Sequence, residues 1–223
     1  VEADLEVGFV AVDNQGKTRG GEHLDITMPL KPETAAVVNQ AGLLVQSRVT
    51  LPPGRYVLRV GARDANSERV GAVHCDVEVP DYSKLPLSMS GLVISSADTA
   101  VANPRPDQEL AKMLPGSPAV IRDFGQDDEL GVLAEIYDAK LSTPHGIDIV
   151  TTVVGEDGRE AYRHEDKRST AELQGMQGGF GYLLNVPLAG MTPGSYLLRV
   201  ETRSRLDVDN PVARETFFRV VGK

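Results

Sequence analysis

The chain has 223 residues, enough for one large domain or two of ordinary size, and 41% hydrophobic with 25% charged residues is too apolar a mixture for disorder. A formal net charge of -9 excludes the basic footprint that nucleic acid or an anionic membrane surface requires. No run approaches the roughly eighteen apolar residues of a membrane span, so no membrane insertion is expected, and the single cysteine, Cys75, forms no intrachain disulfide and is neutral on compartment.

In chain order, the first strand is expected over 4–12. It runs into the turn of "VAVDNQGK" (10–17), and a second strand follows over 22–28. Pro32 opens a helix-compatible stretch, "PETAAVVNQ" (32–40), with proline suited to the first turn. A strand over 43–50 leads to "LPPGRYVLRV" (51–60). There Pro53-Gly54 marks a turn, and Tyr56, Leu58 and Val60 then alternate with Arg55, Val57 and Arg59. A strand over 69–79, containing His74 and Cys75, closes the first module, 1–80. The polar, proline-bearing stretch "VPDYSKLPLS" (79–88) contains the expected linker, 81–86.

The second module is expected over 87–223, with strands near 87–96, 118–123, 129–138, 146–154, 158–163, 180–188, 195–203 and 212–221. An irregular insertion, 97–117, interrupts it. Residues 107–114 can form two helical turns after Pro106, and cover for a sheet edge is the favoured role.

The two modules repeat one another. "MTPGSYLLRV" (191–200) restates "LPPGRYVLRV", and upstream "TVVGEDGR" (152–159) resembles "VAVDNQGK". A tyrosine just after each turn, Tyr56 and Tyr196, suggests the tyrosine corner of immunoglobulin-like sandwiches, in which the hydroxyl bonds back to nearby backbone. The fold class is therefore all-β, with two tandem immunoglobulin-like or fibronectin-III-like β-sandwiches. The first lacks N-terminal strands, because nothing in it corresponds to "ELGVLAEIYD" (129–138). The numbering opens at Val1 without methionine, and a processed chain or excised fragment is the expectation. The absent strands are expected from sequence outside the chain or from another chain by strand addition.

"DLEVGFVAVDNQGKTR", "LPPGRYVLRVGARD", "VEVPDYSKLPLSMSGLVISS", "ELGVLAEIYD" and "GSYLLRVETRSR…PVARETFFRV" together resemble the C-terminal region of von Willebrand factor A-related proteins of the Acidobacterial type. The resemblance spans nearly the whole chain and implies an extracytoplasmic location, secreted or at the cell surface, with tandem sandwich architecture. It does not extend to the A domain, whose D-x-S-x-S metal motif is absent, so metal-dependent adhesion is not carried over.

Catalytic signatures are missing. His23, His74, His145 and His164 lack metal-ligand spacing, and neither G-x-S-x-G nor a phosphate-binding glycine loop occurs. The glycine-rich "GMQGGFGY" (175–182) leads into a strand and reads as a loop with a bulge. Cys75 reads as a small core hydrophobe rather than a nucleophile. Asp127, Asp128 and Glu129, and separately Asp207 and Asp209, are candidates for a hard cation such as calcium, although solvated turns explain both groups more simply. No cofactor is expected.

The leading function is a non-enzymatic, exported interaction or assembly module with a protein partner or self-association. The alternative is a carbohydrate- or ligand-binding module of a secreted or cell-surface protein, weakened by 5% aromatic content and no tryptophan. A hydrolase of unknown type is a distant third class.

Overall fold

The computed structural model describes residues 2–97, 101–140, 143–173 and 179–222. The fold is all-β. Its strands are β1 (Glu2–Asp13), β2 (Thr18–Pro29), β3 (Leu43–Val45), β4 (Gly54–Asp64), β5 (Val70–Val79), β6 (Leu87–Met89), β7 (Val93–Ser96), β8 (Ala102–Arg105), β9 (Asp123–Gly125), β10 (Glu129–Asp138), β11 (Gly146–Gly155), β12 (Glu160–Ser169), β13 (Gly179–Pro187), β14 (Gly194–Ser204) and β15 (Asp207–Val221). Helices are minor: α1 (Pro32–Ala41), with proline at its start, α2 (Gln108–Met113), and single 3-10 turns at Tyr82–Lys84 and Thr170–Leu173.

The chain divides into two units, Val1–Asp81 with Ala100–Asp107, and Tyr82–Thr99 with Gln108–Lys223. The first carries an antiparallel sheet in the order β2-β1-β4-β5 and a two-stranded parallel pair, β3-β8. The second carries β12-β11-β14-β15-β9 and an opposing sheet, β13-β10-β6, with β7 also paired to β10. Alternating side chains of its two sheets meet in one core. Leu130, Val132 and Ile136 of β10 lie against Ile147, Ile149, Leu198 and Phe218, all buried. A hydrogen bond between the Thr151 and Tyr182 hydroxyls, at 2.9 Å, ties the sheets across that core.

The duplication reaches into the details of register. Val12 pairs with Thr18 next to an irregularity at Ala11/Val12, and Val154 pairs with Glu160 next to one at Val153/Val154. Both hairpins turn through a left-handed glycine, Gly16 (φ 80°) and Gly158 (φ 76°), a conformation that other residues resist. Asp13 pairs with Tyr56 as Gly155 pairs with Tyr196. Each tyrosine hydroxyl then donates to the carbonyl four residues back, Pro52 and Thr192, at 2.7 Å in both cases.

Several boundaries differ from the sequence expectation. The insertion 97–117 does not belong wholly to the second module, because Ala100–Asp107 returns to the first. There β8 runs parallel to β3, Asn103 donates to Gln46 at 2.7 Å, Arg105 pairs with Glu22 at 2.8 Å, and Asp107 accepts a two-pronged bond from Arg48. The stretch 81–86 is not a free linker. The Tyr82 ring stacks on Tyr137 with centroids 4.9 Å apart, and Ala139 donates to the Pro86 carbonyl. The strand expected over 43–50 stops at Val45, and 87–96 splits into β6 and β7 around a bend where the Ser90 N–H donates to the Glu135 carbonyl. Residues 118–123 form no strand beyond the start of β9, and Val120 and Ile121 lie exposed there. The glycine-rich 175–178 falls outside the described residues.

Replacing Tyr196 by Phe removes the hydroxyl donor to Thr192 while keeping the ring in the core. The expected loss is about 1 kcal/mol of unfolding free energy, read as a lower urea midpoint with an unchanged slope.

Candidate functional site

The two copies of the sheet bury very different amounts of apolar surface. In the second unit the core-facing positions of β11, β14 and β15 are covered by the β13-β10-β6 sheet. In the first, the equivalent face presents Phe9, Leu58, Val60, Val73, Cys75 and Val77, aligned by Phe9↔Val60↔Val73 and Leu58↔Cys75. Among the described residues of this unit only Ala11 and Tyr56 count as buried hydrophobics. Some cover exists over β2, where Val49 and Leu51 lie above Gly20. A Cβ at Gly20 would come within 2.6 Å of the Val49 Cγ2.

β5 is the least covered element. Val70 is 73% and Val73 70% exposed, and residues 70–76 are exposed throughout. Cys75 is accordingly exposed and is not the core residue its alternation suggests. Pairing explains the difference. Cys75 lies opposite Leu58 as Thr216 lies opposite Leu198, and Thr216 is buried because a second sheet faces it. Val73 occupies the place of Arg214, which in the second unit reaches the opposing sheet and donates to the Met89 carbonyl at 2.9 Å.

The β5 edge is also open. Among the described residues it pairs with β4 alone, whereas the corresponding edge of β15 is capped over Arg219–Val221 by parallel β9. The Asp64 N–H donates to the Arg69 carbonyl at the hairpin end, and the ladder then runs without irregularity from Arg63↔Val70 to Gly54↔Val79. The alternation of antiparallel pairs therefore directs the peptide groups of Val73, Cys75 and Val77 towards β4. Those of Val70, Ala72, His74, Asp76 and Glu78 point outwards. A ten-residue edge with outward amides and exposed valines is a template for strand addition. On the other face of this sheet a shallow hollow lies over Gly8 and Gly61, which pair directly, and His23, Arg59 and His74 edge it.

The acidic candidates do not converge. Asp128 is buried and accepts the Ser96 hydroxyl at 2.5 Å and the Glu129 N–H at 2.8 Å, while Asp127 and Glu129 stay exposed. Asp207 accepts from the Asn210 amide at 2.8 Å, and Lys140 lines the same hollow as Asp207 and Asp209. Among the described residues no three His, Cys, Asp or Glu side chains form a metal-sized group.

One buried polar pair escapes sequence reading. His145 Nε2 lies 2.9 Å from Asp138 Oδ2, its Nδ1 lies 2.7 Å from the Thr143 carbonyl, and the two side chains are 4% and 1% exposed. The signal was present: Asp128 and Asp138 share the core-facing parity of Leu130, Val132, Ala134 and Ile136, so both carboxylates had to be satisfied inside. Both are held by local donors, which makes them structural anchors at the two ends of β10. Elsewhere, on the sheet that carries β11 and β14, Arg205 holds the Asp148 carboxyl below the ordinary carboxylate range, as Arg199 does for Glu201.

No protein-family profile and no curated protein matches the chain. Among solved structures it is similar to Bacteroides uniformis β-glucuronidase 2, covalently bound to cyclophellitol-6-carboxylate aziridine, with 11% identity over 96% of this chain and 24% of that one, at a TM-score of 0.39. It is similar to a family 123 glycoside hydrolase from Clostridium perfringens, with 11% identity over 62% and 28% of the two chains, at 0.35. Red sea bream transglutaminase gives 13% identity over 100% and 27%, at 0.31. The chain spans about a quarter of the length of these proteins, and likeness at these scores carries no argument about activity.

Two outcomes are expected from the burial contrast. In the native chain Cys75 reacts with a thiol reagent without unfolding. A Thr216→Cys variant in a Cys75→Ser background reacts about a hundredfold more slowly, because its exposure needs an opening event. Asp138→Ala leaves His145 buried without its carboxylate and costs about 3 kcal/mol, read by thermal melting of the second unit.

Proposed function

We propose that the chain is a non-enzymatic interaction and assembly module that acts extracytoplasmically through strand addition to its first sheet. The observation that carries this reading is the contrast between two copies of one sheet. The second copy keeps its apolar face under β10 and the Arg219–Val221 end of its outer edge under β9, whereas the first leaves the equivalent face half-buried and residues 70–76 of its edge strand exposed. Exposed apolar surface of this kind is costly in water and marks interaction sites. Edge pairing supplies directional hydrogen bonds, and the alternating valines supply specificity. The two carboxylates buried in the second unit, Asp128 and Asp138, are satisfied by neighbours, which fits a scaffold better than a reaction centre. The resemblance to the C-terminal region of exported von Willebrand factor A-related proteins supports the location.

Hydrogen exchange tests the reading. In dilute chain the outward amides of Val70, Ala72, His74, Asp76 and Glu78 exchange as freely as exposed loop amides. A synthetic strand with the sequence of residues 129–138, the segment that covers the second copy, slows exchange in β5 or in the β1 and β4 core face. Protection of β5 in dilute chain, or exchange indifferent to the peptide at millimolar concentration, overturns the proposal.

A further inference from the structure

The strand-addition reading leaves the partner unnamed, and β5 itself supplies one; its identity rests on that reading. We infer that β5 pairs antiparallel with β5 of a second copy, about a two-fold axis through Cys75. The outward peptide groups lie on even-numbered residues, so hydrogen-bonded pairing between two copies must set even residues opposite even residues. This restricts the axis to a short series of positions. With the axis at Cys75, His74 faces Asp76 of the other copy twice over, so an imidazole N–H meets a carboxylate on both sides of the dyad. Val73 meets Val77, Ala72 meets Glu78, and Gly71 meets Val79. With the axis at His74, the two imidazoles face each other and Asp76 faces Ala72. With the axis at Asp76, two carboxylates are forced together, which destabilises a cross-strand pair.

Pairing about Cys75 engages residues 71–79, nearly the full strand, and ends where Pro80 lacks an N–H to continue it. β5 carries no lysine or proline of its own to discourage such contact. The corresponding strand of the second unit cannot do the same. β15 contains Pro211, and β9 occupies its edge over Arg219–Val221. The partner is therefore an identical chain, joined through the first sheet into an eight-stranded sheet with an isologous interface. The peptide groups of Cys75 point to β4, so the two Cys75 residues form a non-hydrogen-bonded pair across the dyad. Their Cα atoms would be about 4.5 Å apart, within the span a disulfide bridges.

The test uses the full chain under reducing conditions in sedimentation equilibrium. A concentration-dependent dimer is expected. Asp76→Lys, which takes the carboxylate away from the facing imidazole, and His74→Glu, which sets two acids opposite each other, both at exposed positions, each weaken it about tenfold. Mixing the two variants restores dimerisation. The native His74 of one chain then faces the native Asp76 of the other, and the introduced lysine and glutamate face each other across the same dyad. In a second measurement, added diamide is reduced to its hydrazine as two Cys75 thiols give up two protons and two electrons to form the intermolecular disulfide. This linkage forms at least about tenfold faster than in a Val70→Cys/Cys75→Ser variant, whose thiols lie off the axis.

A chain that stays monomeric to millimolar concentration overturns the inference. So does a dimer indifferent to both charge variants and to the position of the thiol. A monomer whose β5 amides are still protected by the 129–138 peptide removes the second copy as partner and leaves the strand-addition reading standing. Loss of both responses removes both.

Discussion

A twisted antiparallel sheet of four strands offers two faces and two edges to water, and a stable protein must find cover for at least one apolar face. That requirement governs this molecule. The second unit meets it with β10, whose Leu130, Val132 and Ile136 close over Ile147, Ile149 and Leu198 to build a contiguous core. The first unit contains the same sheet, with matching order, register and tyrosine corner, but only a short β3-β8 pair, α1 and the segment bearing Val49 and Leu51 to set over it. What distinguishes the units is therefore not the sheet but its cover.

The difference propagates to individual side chains. The same alternation that buries Thr216 leaves Cys75 in solvent, and the position from which Arg214 reaches across a core to Met89 is filled by Val73, which has nothing to reach for. In the second unit even the charged residues inside the sheet are accounted for, since Asp128 and Asp138 close the two ends of β10 through Ser96 and His145. A sheet with outward amides and bare valines, by contrast, has hydrogen-bonding capacity to offer a neighbour.

Much of this is legible in the sequence. Period-two alternation places β4, β10 and β14 within a residue or two of their observed ends, and the repeated Pro-Gly-x-Tyr corner exposes the duplication by itself. Alternation reports which side chains share a face and says nothing about whether that face is covered, which is why it points Cys75 into a core that does not exist around it. The return of β8 to the first unit is hidden for a different reason. Its contacts, Asn103 to Gln46 and Arg105 to Glu22, join residues far apart in the chain and leave no local pattern. The His145–Asp138 pair stands nearer the surface of the sequence, because an aspartate in phase with four apolar residues is a buried charge in need of a partner.

Because Ala100–Asp107 belongs with the first unit while its flanking residues belong with the second, the polypeptide passes between the units three times. A single backbone break cannot divide such a molecule into two intact halves. Cutting between Asp81 and Tyr82 would strip the first unit of β8 and of Asp107, the acid that holds Arg48. Neither unit is a bead on a string, and shuffling either into another polypeptide would require transplanting a loop from its neighbour as well.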